Sequence, residues 1–190
     1  AGRYTTQDSN RESDATAWLN FLALIKRSRK RQPINGSLVV LGADEIINTD
    51  ETRWDGHIQT IRTRLRELRD RLGLDFPVYI IVTKLDLVPG FREFFDTLTT
   101  DEQSQIWGIT SPEDPENDYF RKQSRELVSR LNEQLPHRLR YERDLKRRQA
   151  AYNFPWQFDT LIDRVNGLTG KVFSNSDLGR DIHGRLRGIY

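Results

Sequence analysis

The sequence predicts an α/β fold: a parallel sheet with flanking helices over residues 1–112, followed by an α-helical subdomain over 118–190. Three observations lead there. Two short apolar runs, 37–41 and 78–82, have the length and β-branched content of buried strands. Between them Trp54, Ile58, Ile61, Leu65, Leu68 and Leu72 recur in steps of four and three, the period of one helical face. A strand, a helix and a strand in that order form a crossover unit, so the two strands are expected to pair in parallel. After Pro112 and Pro115 the strand patterning gives way to helical patterning.

Each element has a local reason. Residues 1–13 are polar and read as a loop. Ala15, Trp18, Leu19, Leu22 and Ile25 follow helical spacing from Asp14, whose carboxylate suits an N-cap. Lys26, Arg27, Arg29, Lys30 and Arg31 then fall in the last turn, where cations oppose the helix dipole. Pro33 and Asn35-Gly36 end it. The run 37–41 lacks alternation, which predicts cover on both faces. Gly73 is the natural C′ residue of the strong helix. Residues 91–98 and 100–105 read as short helices and 106–110 as a third strand. Phe120, Leu127, Val128, Leu131, Leu135 and Leu139 predict a long helix that Pro136 should kink or split. A further helix is expected over about 155–165. Gly and Asn interrupt the tail from 166 to 190.

Composition narrows the function classes. Charged residues reach 31% against 36% apolar, yet 10% are aromatic, enough for a core and against disorder throughout. No apolar run approaches the roughly 18 residues of a spanning helix. Cys is absent, which removes disulfides and thiolate zinc sites. His57, His137 and His183 share no close spacing, so no metal site is expected, and His57 beside an apolar stripe reads as structural. With 30 basic and 28 acidic residues, no field indicates nucleic acid as a partner. Met is also absent and the chain opens Ala1-Gly2-Arg3, so it reads as a fragment of a longer product.

The most informative residues are Thr83-Lys84-Leu85-Asp86, at the carboxyl end of the 78–82 strand, where ligands bind open parallel sheets. A Lys and an Asp one residue apart suit a guanine base. The Lys stem can cover the ring, and the carboxylate can accept from N1–H and the exocyclic amine. The bland alternative is a solvated strand-to-helix loop. Gly2 is the second candidate, since a glycine lets backbone N–H groups approach a phosphate closely.

Read together, these pieces resemble a known pattern. Guanine-nucleotide hydrolases of the signal-recognition-particle type carry Asp-Thr-Ala-Gly-Arg and, after a later strand, Thr-Lys-x-Asp. A denser match runs through Ala1-Gly2-Arg3-Tyr4-Thr5-Thr6-Gln7-Asp8-Ser9, Arg31-Gln32-Pro33-Ile34-Asn35-Gly36, Phe76-Pro77-Val78-Tyr79, Val82 to Phe91 and Ile106-Trp107-Gly108-Ile109-Thr110. Glu142-Arg143-Asp144-Leu145, Phe154-Pro155 and Leu186-Arg187-Gly188-Ile189-Tyr190 continue it. The series resembles the cytoplasmic domain of the TssM (IcmF) family of type VI secretion systems.

That resemblance implies the later part of a P-loop NTPase-like α/β domain, followed by a helical subdomain. It implies a soluble part of a membrane-anchored parent, on the cytoplasmic face of the bacterial inner membrane, docking TssL and baseplate components. By resemblance Thr83, Lys84 and Asp86 would read a base and Gly2 would sense a phosphate. GTP or ATP with Mg would belong to the full-length parent. No Gly-x-x-x-x-Gly-Lys-Ser/Thr occurs here, so no cofactor is expected for this chain, and no catalytic residue is assigned. The rival reading is a GTP-hydrolysing switch whose phosphate loop lies upstream.

Partner-binding candidates come from charge and aromatics. Arg143, Arg147 and Arg148 lie in the basic stretch 138–148, and Trp156 follows Tyr152 and Phe154. Arg and aromatic residues are the types enriched at interface centres. The competing reading is a solvated helix face with the aromatics packed inward. The basic run 26–31 could meet anionic lipid heads or simply compensate a helix end. Asn35-Gly36-Ser37 fits a sequon but reads as a turn, and Trp54 and Trp107 read as core.

Overall fold

Helix α7 (Leu145–Phe173) is the element on which the others assemble. It packs against α6 (Tyr119–Tyr141), α4 (Phe91–Phe95), α2 (Ala43–Asn48) and α3 (Glu51–Leu72). The computed structural model describes residues 11–113, 115–116, 118–173 and 186–190, with side chains from Ala15 onward. One face of α7, through Phe154, Phe158, Leu161, Val165 and Leu168, is buried, and these residues belong to the main core cluster.

Among the described residues four strands form one sheet in the order β1 (Ser37–Gly42), β2 (Val78–Thr83), β4 (Leu186–Ile189), β3 (Ile109–Thr110). β1 pairs with β2 in parallel, Val39 opposite Ile80, as the crossover pattern requires. β4 is also parallel to β2. β3 runs antiparallel to β4, so the expected parallel sheet is in fact mixed. The reason is positional: the last strand of the sequence enters between β2 and β3, and Tyr190 extends it by donating to the Ile80 carbonyl (2.9 Å). The core cluster joins Leu41, Ile80 and Phe94 with Phe154, Leu161 and Leu186. Residues from either side of 112–118 thus share this cluster.

Local expectations hold where side-chain periodicity sets them. Trp54, Ile58 and Ile61 are buried on α3 and Leu65 and Leu68 pack on the same core. Gly73 ends α3 at φ 70°, its N–H donating to Arg69 O at 2.8 Å. Asp50 caps the other end by accepting from Arg53 N at 3.0 Å. α1 (Arg11–Ser28) is already helical at Arg11, so Asp14 lies inside it rather than capping it. α6 continues through Pro136 without splitting, and α7 begins ten residues before Pro155. Pro155 is buried within α7 between Phe154 and Phe158, where aromatic packing offsets a lost backbone bond.

β1 departs from expectation most. Leu41 is buried, while Leu38 and Val40 are 65% and 53% exposed. Their neighbours across the pair, Tyr79 and Ile81, are half-buried. One face of this strand packs on the core and the other is open to solvent. β1 is also an edge strand, paired on one side only among the described residues.

Candidate functional site

At the carboxyl end of β2 the chain turns sharply. Lys84 is the one non-glycine residue at positive φ (58°) among the described residues, a conformation that costs of order 1 kcal/mol. Its carbonyl accepts from Leu87 N (3.0 Å), closing a short 3₁₀ turn over Leu85–Leu87. Thr83 Oγ1 donates to the Leu41 carbonyl (3.2 Å), tying the turn to the end of β1.

The two residues suited to a base are held by different partners. Lys84 Nζ donates to Asp44 Oδ2 at 3.1 Å. That hydrogen bond is the main reason the Asp44 carboxyl lies below its ordinary range. Gly42 leaves room for the pair: a Cβ there would sit 2.4 Å from Asp44 Oδ1. Asp86 Oδ2 accepts from the Arg92 guanidinium at 2.7 Å. A base read by Asp86 needs that carboxylate as a free paired acceptor, and one covered by Lys84 needs its stem released from Asp44. Here Lys84 is paired with Asp44 and Asp86 with Arg92, both at an exposed corner. Gly2 lies outside the described residues.

A second region sits where α6 meets α7. Asp144 Oδ1 accepts from Lys146 N (2.9 Å) and Arg147 N (3.0 Å), capping α7. Glu142 Oε1 accepts from Asp144 N (2.9 Å), and its other oxygen from Arg147 Nε (2.8 Å). The Arg147 bond, first, and the Asp144 amide, second, hold the Glu142 carboxyl below its usual range. Arg147 also binds Asp96. Arg138 reaches Thr97 and lies 5.8 Å from the Phe94 ring centroid. Arg138 and Arg147 thus clasp the corner to the segment after α4, with Arg147 paired to Glu142 and Asp96. Arg143 and Arg148 are both exposed, and among the described residues neither makes an ion pair.

The aromatics divide. Phe154 is buried in a cluster with Phe91, Phe94 and Phe95, whereas Tyr152 and Trp156 are 61% and 67% exposed. Trp54 is core, and Trp107 packs on Phe158 with ring centroids 4.8 Å apart. His57 sits 3.2 Å from Glu45 beside Trp54, a structural position. A cleft of about 520 Å³ between α3 and α7 holds Arg164 and Lys171, but Arg164 donates to the carbonyls of Ile47 and Thr49 and Lys171 pairs with Asp55. Among the described residues no group of three His, Asp or Glu is gathered to hold a metal. No helix among them is long and apolar enough to cross a membrane.

The sequence reading missed Asp44 and Arg92. Asp44 had a signal, since Gly42-Ala43-Asp44 follows an apolar strand directly. Arg92 had none beyond its six-residue separation from Asp86. The exposed apolar pair Leu38 and Val40 was likewise read as covered.

Comparison with known proteins agrees with the motif series. The chain is 41% identical over 197 aligned residues to "Type VI secretion system component TssM1" of Pseudomonas aeruginosa. That alignment covers all of this chain and 18% of the relative. No solved structure matches. Residues 11–190 match the family described as the IcmF-related N-terminal domain, and the chain belongs to that family.

Proposed function

We propose that the chain is a docking module of a type VI secretion membrane complex, on the cytoplasmic face of the inner membrane, contacting TssL and baseplate components. One observation favours docking over chemistry. The two side chains that would define a base site, Lys84 and Asp86, are engaged by Asp44 and Arg92. The strand-end turn then acts as a structural clamp joining β1, β2 and α4. Family membership and the relative's place in a type VI secretion system supply the setting.

In the same reading the chain is the later part of a P-loop NTPase-like domain. The open face and free edge of β1 support it, since an uncharged edge strand with exposed Leu38 and Val40 is suited to cover by further polypeptide. The second reading, a nucleotide-dependent switch, is favoured by Thr83-Lys84-Leu85-Asp86 standing at a parallel strand's carboxyl end. It requires both ion pairs at that corner to open.

Two measurements test the proposal. Purified TssL and baseplate subunits should retain the chain in pull-downs, and Lys84→Ala with Asp86→Ala should leave retention intact. Calorimetry with GTP or ATP and Mg should show no affinity tighter than roughly millimolar, about 4 kcal/mol. Micromolar GTP affinity, or docking lost with the Lys84/Asp86 pair in a folded variant, would move the assignment to the switch.

A further inference from the structure

The outer side of α7 carries a straight seam. Leu145, Tyr152, Trp156, Asp159 and Asp163 follow one another in steps of seven, four, three and four, with Arg148 on the same side. The spacing is that of a helix–helix contact face. Leu145 to Asp163 spans about 27 Å at ~1.5 Å per residue. Leu145, Tyr152 and Trp156 are 79%, 61% and 67% exposed, although Tyr and Trp are side chains of the kinds that anchor interfaces.

Charge along the seam is bipolar. At one end Arg148 makes no ion pair among the described residues. At the other, Asp159 is pushed above the ordinary carboxylate range, first by partial burial and then by the Asp163 carboxylate. Two like charges adjoin an apolar stretch there, with Arg125 of α6 the attraction acting on Asp159. Such an end gains from a cation brought by a partner. An anionic membrane would favour the Arg148 end and repel the Asp159 end, so a flat lipid surface fits the seam poorly.

We infer that this seam of α7 docks an amphipathic helix of a partner protein, acidic where it meets Arg148, apolar over Tyr152 and Trp156, and basic where it meets Asp159 and Asp163. The inference rests on the docking reading above and supplies the partner's chemistry. Arg147, held by Glu142 and Asp96, plays no part in it.

The test uses three synthetic labelled helices with the same leucine seam: one with a glutamate end and a lysine end, one all-glutamate, one all-lysine. Fluorescence anisotropy with the full chain should show the bipolar helix binding about tenfold tighter than either uniform one. Trp156→Ala should weaken it by about tenfold or more. Arg148→Glu should shift preference to the all-lysine helix. Melting curves establish that each variant is folded, and Tyr152→Ala serves if Trp156→Ala is not. Equal binding of all three helices, no loss in either aromatic variant, or Trp156-dependent binding to phosphatidylserine vesicles without helix binding overturns the inference. If the bipolar helix binds while TssL and baseplate subunits do not, the docking reading fails and the seam stands. If those proteins bind and the helix does not, the seam fails alone.

Discussion

The two sides of α7 are built from one helix and do opposite things. Its inner side, Phe154, Phe158, Leu161, Val165 and Leu168, is at most 4% exposed and packs against α2, α3, α4 and α6. Its outer side presents Leu145, Tyr152 and Trp156 to solvent. Hydrophobicity alone does not separate them, since both sides carry large apolar residues. The difference lies in what arrives from elsewhere in the chain. Gly90 and the Phe91–Phe95 helix arrive on the inner side, whereas Leu145, Tyr152 and Trp156 on the outer side stay exposed. The same contrast recurs in β1, where Val39 and Leu41 meet the core and Leu38 and Val40 do not.

The largest effect that can break this contrast is at Gly90. Its φ of 86° suits glycine, and a Cβ there would lie 2.1 Å from the Ala150 carbonyl oxygen of α7. Backbone on both sides has no side chain to move aside. Gly90→Ala is expected to cost on the order of 3 kcal/mol or more. Phe154→Ala, which empties the centre of the same aromatic cluster, should cost about 3–5 kcal/mol. Urea melts measure both. Trp156→Ser, two residues along and facing outward, should stay within about 0.5 kcal/mol of the parent. If Trp156→Ser destabilises as much as Phe154→Ala, the two sides are not distinct.

Arg164 gives an intermediate case at the edge between the sides. Its guanidinium donates to Ile47 O (2.9 Å) and Thr49 O (2.6 Å), and lies 5.5 Å from the Trp54 ring centroid. It satisfies the carbonyls at the end of α2 and thereby fixes α2 against α7. Arg164→Leu keeps the aliphatic stem but leaves both carbonyls without that donor, at a cost of roughly 1–3 kcal/mol. A melt unchanged by the substitution would show that water replaces the guanidinium without loss.

These examples also show what sequence could convey. The step pattern from Trp54 to Leu72 and the β-branched 78–82 run were legible because periodicity is a local property. The pairing of β4 between β2 and β3 was not, because it joins residues roughly 80 to 110 positions apart in a strand of four. The run 37–41 is apolar at alternate positions on both faces, so nothing in it tells which face the core covers. Pro155 read as a helix start, since the aromatic packing that tolerates it inside α7 is tertiary. Thr83-Lys84-Leu85-Asp86 was legible as a motif, but its neutralisation by Asp44 and Arg92 depends on how α2 and α4 meet the strand end. Thr99 and Glu102 form a capping box whose Thr-x-x-Glu signature was present and passed over.

The smallest expected effect separates the sides by pH rather than by packing. Asp44, Glu102 and Glu142 have carboxyls lowered in the folded chain, chiefly by Lys84, the Thr99 amide and Arg147 respectively. Each contributes stability above its unfolded value and loses it as pH falls through the lower folded value. Asp159 runs the other way. Its folded pKa is raised above the ordinary carboxylate value, so the native state binds that proton more tightly than the unfolded chain. Ionised Asp159 therefore opposes folding at neutral pH, and the penalty disappears as pH falls through the raised value toward that of the unfolded chain. Asp159→Asn should stabilise the chain at pH 7 by less than about 1 kcal/mol, solvent screening being strong at a partly exposed site. The gain should shrink as the pH is lowered, and also with added salt, which weakens the Asp163 repulsion. Paired melts of parent and variant between neutral and acid pH measure it. A gain that persists unchanged at acid pH would mean that the asparagine acts through packing or hydrogen bonding. A loss at neutral pH would mean that Arg125 outweighs burial and Asp163, and that the acidic end of the outer seam is already compensated within the chain.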